Sequence, residues 1–175
     1  VKKALVVIDY QVDFVIGSLG SAEALALEPL IFDKVADAID NGIDVYFTRD
    51  VHDAAQYPST SEARTVPTLH CVEGTEGCEI FGRLKRLSQE SRVFDKSTFG
   101  SIELARHLAA SGYTDVELCG VATNICVIVN AILIKSSMPE CNVMISPDLV
   151  ASYDPELGEK ALDVMKSAGI NVLGR

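Results

Sequence analysis

Short apolar runs of strand length alternate with helix-period segments along almost the whole chain, and this constrains the fold more than any other feature. Ala4 to Ile8, Ile43 to Thr48, Asp115 to Cys119 and Asn142 to Ile145 read as strands, with shorter extended runs at Arg92 to Asp95 and Asn171 to Leu173. Between them lie helical patterns. Pro29 to Asn41 carries Leu30, Ile31, Val35, Ala38 and Ile39 at helical spacing and stops at Asn41-Gly42. Ile102 to Ser111 ends before Gly112, Val127 continues to about Ser136, and Pro155 to Ala168 ends before Gly169. Parallel strands need long crossover connections, and helices supply them. The pattern therefore predicts an α/β fold: a single three-layer, doubly wound domain over residues 1–175, with a mostly parallel central sheet and helices on both faces. A chain of 175 residues buries enough surface for such a core without disulfides or metals.

The stretch from about Val51 to Gly77 breaks the alternation. Structureless loops of that length are uncommon inside compact domains and are usually functional or disordered. This one holds two of the chain's three histidines, which favours function. The third, His107, falls on a helical run and reads as a surface residue.

Composition excludes several classes. The net charge of −10 argues against general nucleic-acid binding. No run approaches the roughly 18 apolar residues of a membrane span. No secretory signal is read at the amino end, and five cysteines without regular spacing fit a reducing cytosol better than a disulfide framework, so a cytoplasmic protein is expected.

Three strand ends carry reactive side chains. Ala4 to Ile8 delivers Asp9, with Gln11, Asp13 and Phe14 just beyond; Arg92 to Asp95 delivers Lys96; and the run ending at Cys119 leads through Gly120-Val-Ala-Thr-Asn-Ile to Cys126. Cys126 is expected in the first turn of a helix at the carboxyl end of a strand. There the helix dipole favours thiolate, and ligands of open α/β sheets bind at that edge. Alone, each residue has an ordinary reading: a small buried thiol, a capping carboxylate, a solvated lysine. Together they supply a nucleophile, a proton acceptor and a cation that holds both.

With these residues in view the chain resembles the cysteine hydrolases that include nicotinamidase and isochorismatase. The resemblance lies in Ile8-Asp9-Tyr-Gln11-Val-Asp13-Phe14, in Asp95-Lys96-Ser-Thr-Phe99 and in Gly120-Val121-Ala122-Thr-Asn-Ile-Cys126. Thr48-Arg-Asp50-Val-His52 with His70-Cys71-Val-Glu-Gly74-Thr75 is similar to the nicotinamidase branch. The blocks occur in family order and span most of the chain. The resemblance implies that Cys126 attacks the carbonyl of a small carboxamide, that Asp9 takes the thiol proton and passes it to ammonia, and that Lys96 steadies both. It also implies an oxyanion site built from the N–H groups of Ala122 and Cys126, exposed by a cis bond between Val121 and Ala122. Hydrolysis of nicotinamide would place the enzyme in NAD salvage.

The same resemblance implies one divalent ion held by Asp50, His52 and His70. Residues i and i+2 of an extended segment point to one side, which suits Asp50 and His52. Such ligands take Zn²⁺ first, with Mn²⁺ and Fe²⁺ as alternatives. Family members often add a ligand from the loop between the two histidines; here Glu62 is the acidic candidate after Asp53. The family's ring-stacking tryptophan has no counterpart, since the chain contains no tryptophan. The substrate pocket is then expected to draw on Phe14 and Gln11, with Tyr57 and Phe99. A homo-oligomer is compatible with the sequence.

Two other readings compete. One is a metal-independent amidase of the same family, acting on another small amide or an N-carbamoyl compound. The other is a non-catalytic, receiver-like α/β domain, for which Asp9, Asp50 and Lys96 would be the acidic pair and lysine. That reading leaves Cys126 and the histidine pair without a purpose. An isochorismatase-type vinyl-ether cleavage needs neither. A nucleotide-binding domain is disfavoured because no strand is followed by G-x-G-x-x-G.

Overall fold

The apolar runs become six parallel strands. The computed structural model describes residues 1–175 and places β1 (Lys3–Ile8), β2 (Asp44–Asp50), β3 (Arg92–Lys96), β4 (Asp115–Val121), β5 (Asn142–Ala151) and β6 (Asn171–Val172) in one sheet. Their order is β3-β2-β1-β4-β5-β6, and every pair is parallel. The chain winds outward from β1 to β3, returns to the centre, and winds the other way from β4 to β6. The reversal opens a crevice beyond the carboxyl ends of β1 and β4, the topological switch point where α/β proteins bind ligands.

Alternation along β1 shows how the two faces are covered. Leu5 and Val7 join Ala24 of α2 (Ala22–Ala26), Ile31 and Val35 of α3 (Glu28–Asp40) and Leu84 of α5 (Leu84–Ser88) in one core. Val6 and Ile8 join Leu104 and Leu108 of α6 (Ile102–Ser111), Ala131 and Ile134 of α7 (Ile128–Ser137), and Leu162 and Met165 of α8 (Pro155–Ser167) in the other. This is the predicted doubly wound arrangement, with a sheet that is wholly parallel. The remaining helices, α1 (Val12–Val15) and α4 (Glu62–Thr65), are short and lie near the crevice.

Two local expectations change. β5 runs past Ile145 to Ala151, because the register with β4 jumps from Leu118–Ile145 to Gly120–Val150. The intervening residues form a bulge that accommodates Pro147, which has no N–H for a ladder. His107 is not a simple surface residue. It is half-buried, its ring centroid 5.2 Å from that of Tyr46 and 5.5 Å from that of Phe94. It belongs to a polar chain at the amino end of the sheet. Arg92 donates to His107 Nδ1 (3.2 Å), His107 Nε2–H to the Tyr46 hydroxyl (3.2 Å), Tyr46 to Tyr113 (2.5 Å), and Tyr113 to Asp44 (2.6 Å). Burial and the Arg92 charge lower the His107 pKa, in keeping with a neutral ring that accepts at one nitrogen and donates at the other.

Candidate active site and metal centre

β1 ends in a sharp reversal. Asp9, fully buried, has φ +45°, a region that non-glycine residues enter at a cost of about 1–3 kcal/mol, mostly at functional sites. Beside it, Gly120 of β4 has φ +113°, and a Cβ there would lie 2.1 Å from the Ile8 carbonyl oxygen. Only glycine lets the two central strands approach this closely beneath the crevice.

Thr48 secures Asp9 twice: its hydroxyl donates to Asp9 Oδ1 (2.6 Å) and accepts from the Asp9 N–H (3.1 Å). Lys96 Nζ lies 2.6 Å from Asp9 Oδ2, 3.6 Å from Asp50 Oδ1 and 3.8 Å from Cys126 Sγ. The lysine is thus buried among an acid on each side and the thiol. Burial works against its charge, but Asp9, Cys126 and Asp50 outweigh it and raise its pKa. Burial raises the Asp9 pKa, against the pull of Lys96.

Cys126 sits in a wide π-helical turn, Thr123–Val127, immediately before α7, where a first α-helical turn was expected. The Ile125 and Val127 amides both bond the Ala122 carbonyl, at 3.0 and 3.1 Å, and this widens the turn. The Val121–Ala122 peptide bond is cis. Asn130 anchors the turn, donating to the carbonyls of Cys126 (2.8 Å) and Phe99 (3.1 Å) while accepting from the Ser101 N–H (2.9 Å). The expected depression of the thiol pKa is corrected. Burial raises it, Lys96 lowers it, and nearby Asp9 and Asp50 raise it further, leaving it well above the ordinary cysteine value. The resting group is therefore a thiol beside a buried carboxylate.

The long loop folds back over the end of β2. It contains the short helix α4, and it brings His70 and Glu62 to Asp50 and His52. Asp50 Oδ2 lies 2.9 Å from His52 Nε2 and 3.1 Å from His70 Nε2, while Glu62 Oε1 lies 3.3 and 3.6 Å from the same two nitrogens. All four residues are buried, and one ligand atom from each lies within 4.8 Å of the others. Neither Glu62 oxygen makes an aligned hydrogen bond, and neither does Asp50 Oδ1. His70 Nδ1–H donates to the Thr68 carbonyl (2.8 Å), which turns its Nε2 toward the cluster as second-shell partners of metal ligands do. Burial lowers the pKa of both histidines, but the adjacent Asp50 and Glu62 carboxylates win and raise each to about 9. Two imidazoles and two carboxylates that share protons form a donor set that a divalent cation takes with proton release. The residues fit such an ion, and Glu62 completes the set.

A cavity opens beside these two groups. Cys126 and Ala122 line it together with Asp50, Glu62 and His70. Phe14, Phe99, Val66, Leu19 and Tyr153 make its apolar walls. Two expected pocket residues lie elsewhere. Gln11 is fully buried with its carboxamide spent on backbone groups, and Tyr57 packs behind the histidines, 4.7 Å from the His52 ring, with its hydroxyl on the Val66 carbonyl. Tyr153 was missed, as were Thr48 and Asn130 as supports. For Asn130 a signal existed: a polar residue four positions after Cys126, within the otherwise apolar run Ile128 to Ile134.

The isochorismatase domain model matches residues 3–175. The chain belongs to the isochorismatase family. Among its relatives, the Bacillus subtilis (strain 168) isochorismatase family protein PncA is 33% identical over 168 residues, 89% of each chain. The crystal structure of nicotinamidase PncA from Bacillus subtilis shares 31% identity at a TM-score of 0.86, over 98% of this chain and 99% of that one. The pyrazinamidase of Pyrococcus horikoshii, solved in complex with zinc, shares 30% identity at a TM-score of 0.86, over 99% of both chains. The isochorismatase-family protein described here is accordingly a hydrolase on an α/β fold, and its sheet carries both buried groups at one edge.

Proposed function

We propose that this protein is a metal-dependent amidohydrolase that converts nicotinamide to nicotinate and ammonia, working as a single catalytic domain over residues 1–175. One observation carries the reading: the nucleophile and three of the four donor residues, Asp50, Glu62 and His70, line one apolar cavity. A flat heteroaromatic carboxamide has a carbonyl for one side and a ring nitrogen for the other. The nicotinamidase and pyrazinamidase likenesses support the same substrate class.

Asp50, His52, Glu62 and His70 would hold the ion, with Zn²⁺ preferred over Mn²⁺ and Fe²⁺. When bound, the ion supplies a Lewis-acidic contact for the ring nitrogen and so orients the ring. The covalent steps belong to the chain. Cys126 Sγ bonds to the carbonyl carbon as its proton passes to Asp9, so a thiol with a raised pKa needs no free thiolate beforehand. The carbonyl π pair moves to oxygen, and the resulting oxyanion takes the N–H groups of Ala122 and Cys126. The Ala122 N–H makes no hydrogen bond within the protein and is free for that task. Asp9 returns the proton to nitrogen, the C–N bond breaks, and ammonia leaves a thioester. Water, deprotonated by Asp9, adds to the thioester, and the thiol departs with that proton. Lys96 stays charged throughout and compensates whichever of Asp9 and Cys126 is anionic. All five cysteines are free thiols, which suits a reducing cytoplasm.

Ammonia release from nicotinamide, measured with chelator and after adding back Zn²⁺, Mn²⁺ or Fe²⁺, tests the reading. Metal-restored turnover is expected, with benzamide a much poorer substrate because it lacks the ring nitrogen. Full turnover of stripped protein would favour a metal-independent amidase of the family. The aliphatic Val66 wall and the lack of tryptophan give that alternative its footing.

A further inference from the structure

Gln11 and Asp13 follow Asp9 closely but line neither the cavity nor the nucleophile. The Gln11 carboxamide and one Asp13 oxygen are turned toward the backbone of the segments that carry the donor set, while Asp13 Oδ1 accepts from the Ser18 N–H (3.4 Å). The pairing of β1 with β2 ends at Val7 with Phe47, before Asp50 is reached. Beyond that point the Gln11 side chain replaces the missing strand. Its Oε1 accepts from the Asp50 N–H (2.8 Å), and its Nε2 donates to the carbonyls of Asp50 (2.8 Å) and Cys78 (2.9 Å). Asp13 Oδ2 accepts from the N–H of Cys71, the residue after His70, at 2.7 Å. The approach is close on the other side as well, since a Cβ on Gly77 would fall 2.3 Å from Asp13 Oδ2. Backbone bonds from Val12 N to Glu79 O and from Phe81 N to Tyr10 O, both 2.9 Å, sew the same segments together.

We propose that Gln11 and Asp13 are positioning residues of the metal centre: from the turn that carries Asp9 they clamp the peptides beside Asp50 and His70 and thereby set where those ligands point. The assignment rests on the metal reading above. It makes the spacing between proton acceptor and ion a property of one short segment, Asp9 to Asp13, rather than of the long loop alone. Groups that hydrogen-bond to metal ligands and hold them in place commonly govern affinity by about 10–100-fold.

The test measures Zn²⁺ affinity by competition with a chromophoric chelator and, on the same samples, the rate of Cys126 alkylation by iodoacetamide. Gln11→Ala and Asp13→Ala are expected to weaken Zn²⁺ binding about 10–100-fold, with alkylation at the parental rate. Asp13→Asn keeps an acceptor for the Cys71 N–H and is expected to recover most of the affinity. Parental Zn²⁺ affinity in both alanine variants overturns the proposal. So does a loss of alkylation in step with affinity, which would mean a general structural role. If Gln11→Ala does not fold, the contrast between Asp13→Ala and Asp13→Asn decides. A parent protein that binds no Zn²⁺ overturns the metal reading itself, and this assignment with it.

Discussion

Both ends of the central sheet bury polar side chains, but they treat them differently. At the amino end the chain Arg92, His107, Tyr46, Tyr113 and Asp44 passes hydrogen bonds from one group to the next. At the carboxyl end, Asp50 Oδ1 and both Glu62 oxygens lack an aligned hydrogen bond, whereas Asp9 Oδ2 rests on Lys96 Nζ at 2.6 Å. Glu117 Oε1 also lacks one, but the other oxygen of that carboxylate pairs with Lys34 at 2.6 Å. A closed network holds a fold together, whereas groups left open in a low-dielectric pocket are costly unless something binds them. Polarity at a strand end is weak evidence for function; polarity left without aligned partners beside a cavity is much stronger.

The largest test of that contrast is at the nucleophile. Cys126→Ala is expected to reduce amide turnover by about 10⁴-fold or more, as loss of a nucleophile does, with circular dichroism and thermal midpoint near the parent's. Turnover at the parental rate in a contaminant-free preparation would remove Cys126 from the reaction. Next in size is the donor set. His52→Ala, like chelation, is expected to lower kcat/KM for nicotinamide by on the order of 100-fold through lost orientation. Added metal should not rescue the variant. If it does, His52 is not a ligand.

A smaller effect sharpens the electrostatics of the open end. Burial and the two neighbouring carboxylates raise the Cys126 thiol, so its thiolate is scarce at neutral pH. Iodoacetamide labelling is expected to be slow at pH 7 and to accelerate as pH rises above the ordinary thiol range. Lys96→Ala removes the charge that lowers this pKa and should displace the labelling curve to still higher pH. A curve centred below the ordinary cysteine value would contradict the buried-thiol description.

The smallest effect belongs to the closed end. Tyr46→Phe removes the hydroxyl that links His107 to Tyr113, and is expected to destabilise by about 1 kcal/mol in denaturant titrations while leaving kcat/KM unchanged. His107 adds a pH signature. Its folded pKa is lowered, so its contribution to stability is present above the unfolded value of about 6.5 and is lost as pH falls through the folded one. His107→Gln should flatten that slope. A change in catalysis from either variant would mean that the two ends are coupled.

Much of this molecule is legible in its residues alone. Strand–helix alternation sets an α/β sheet because each apolar run is too short to be anything but a strand between helices. Asp9, Lys96 and Cys126 declare themselves by standing at strand ends inside recognisable motifs. Asp50, His52 and His70 do so less sharply, since a loop histidine has many ordinary uses. What depends on distance in space is different in kind. Glu62 reaches His52 only because the loop folds back, and no spacing rule foretells that. Gln11 and Tyr57 look like pocket residues in sequence, yet backbone groups claim one and the histidine rings cover the other. The sign of the Cys126 pKa shift is likewise tertiary. A helix start and a lysine argue for thiolate, but burial beside two carboxylates is the stronger influence, and burial is a property of the folded whole.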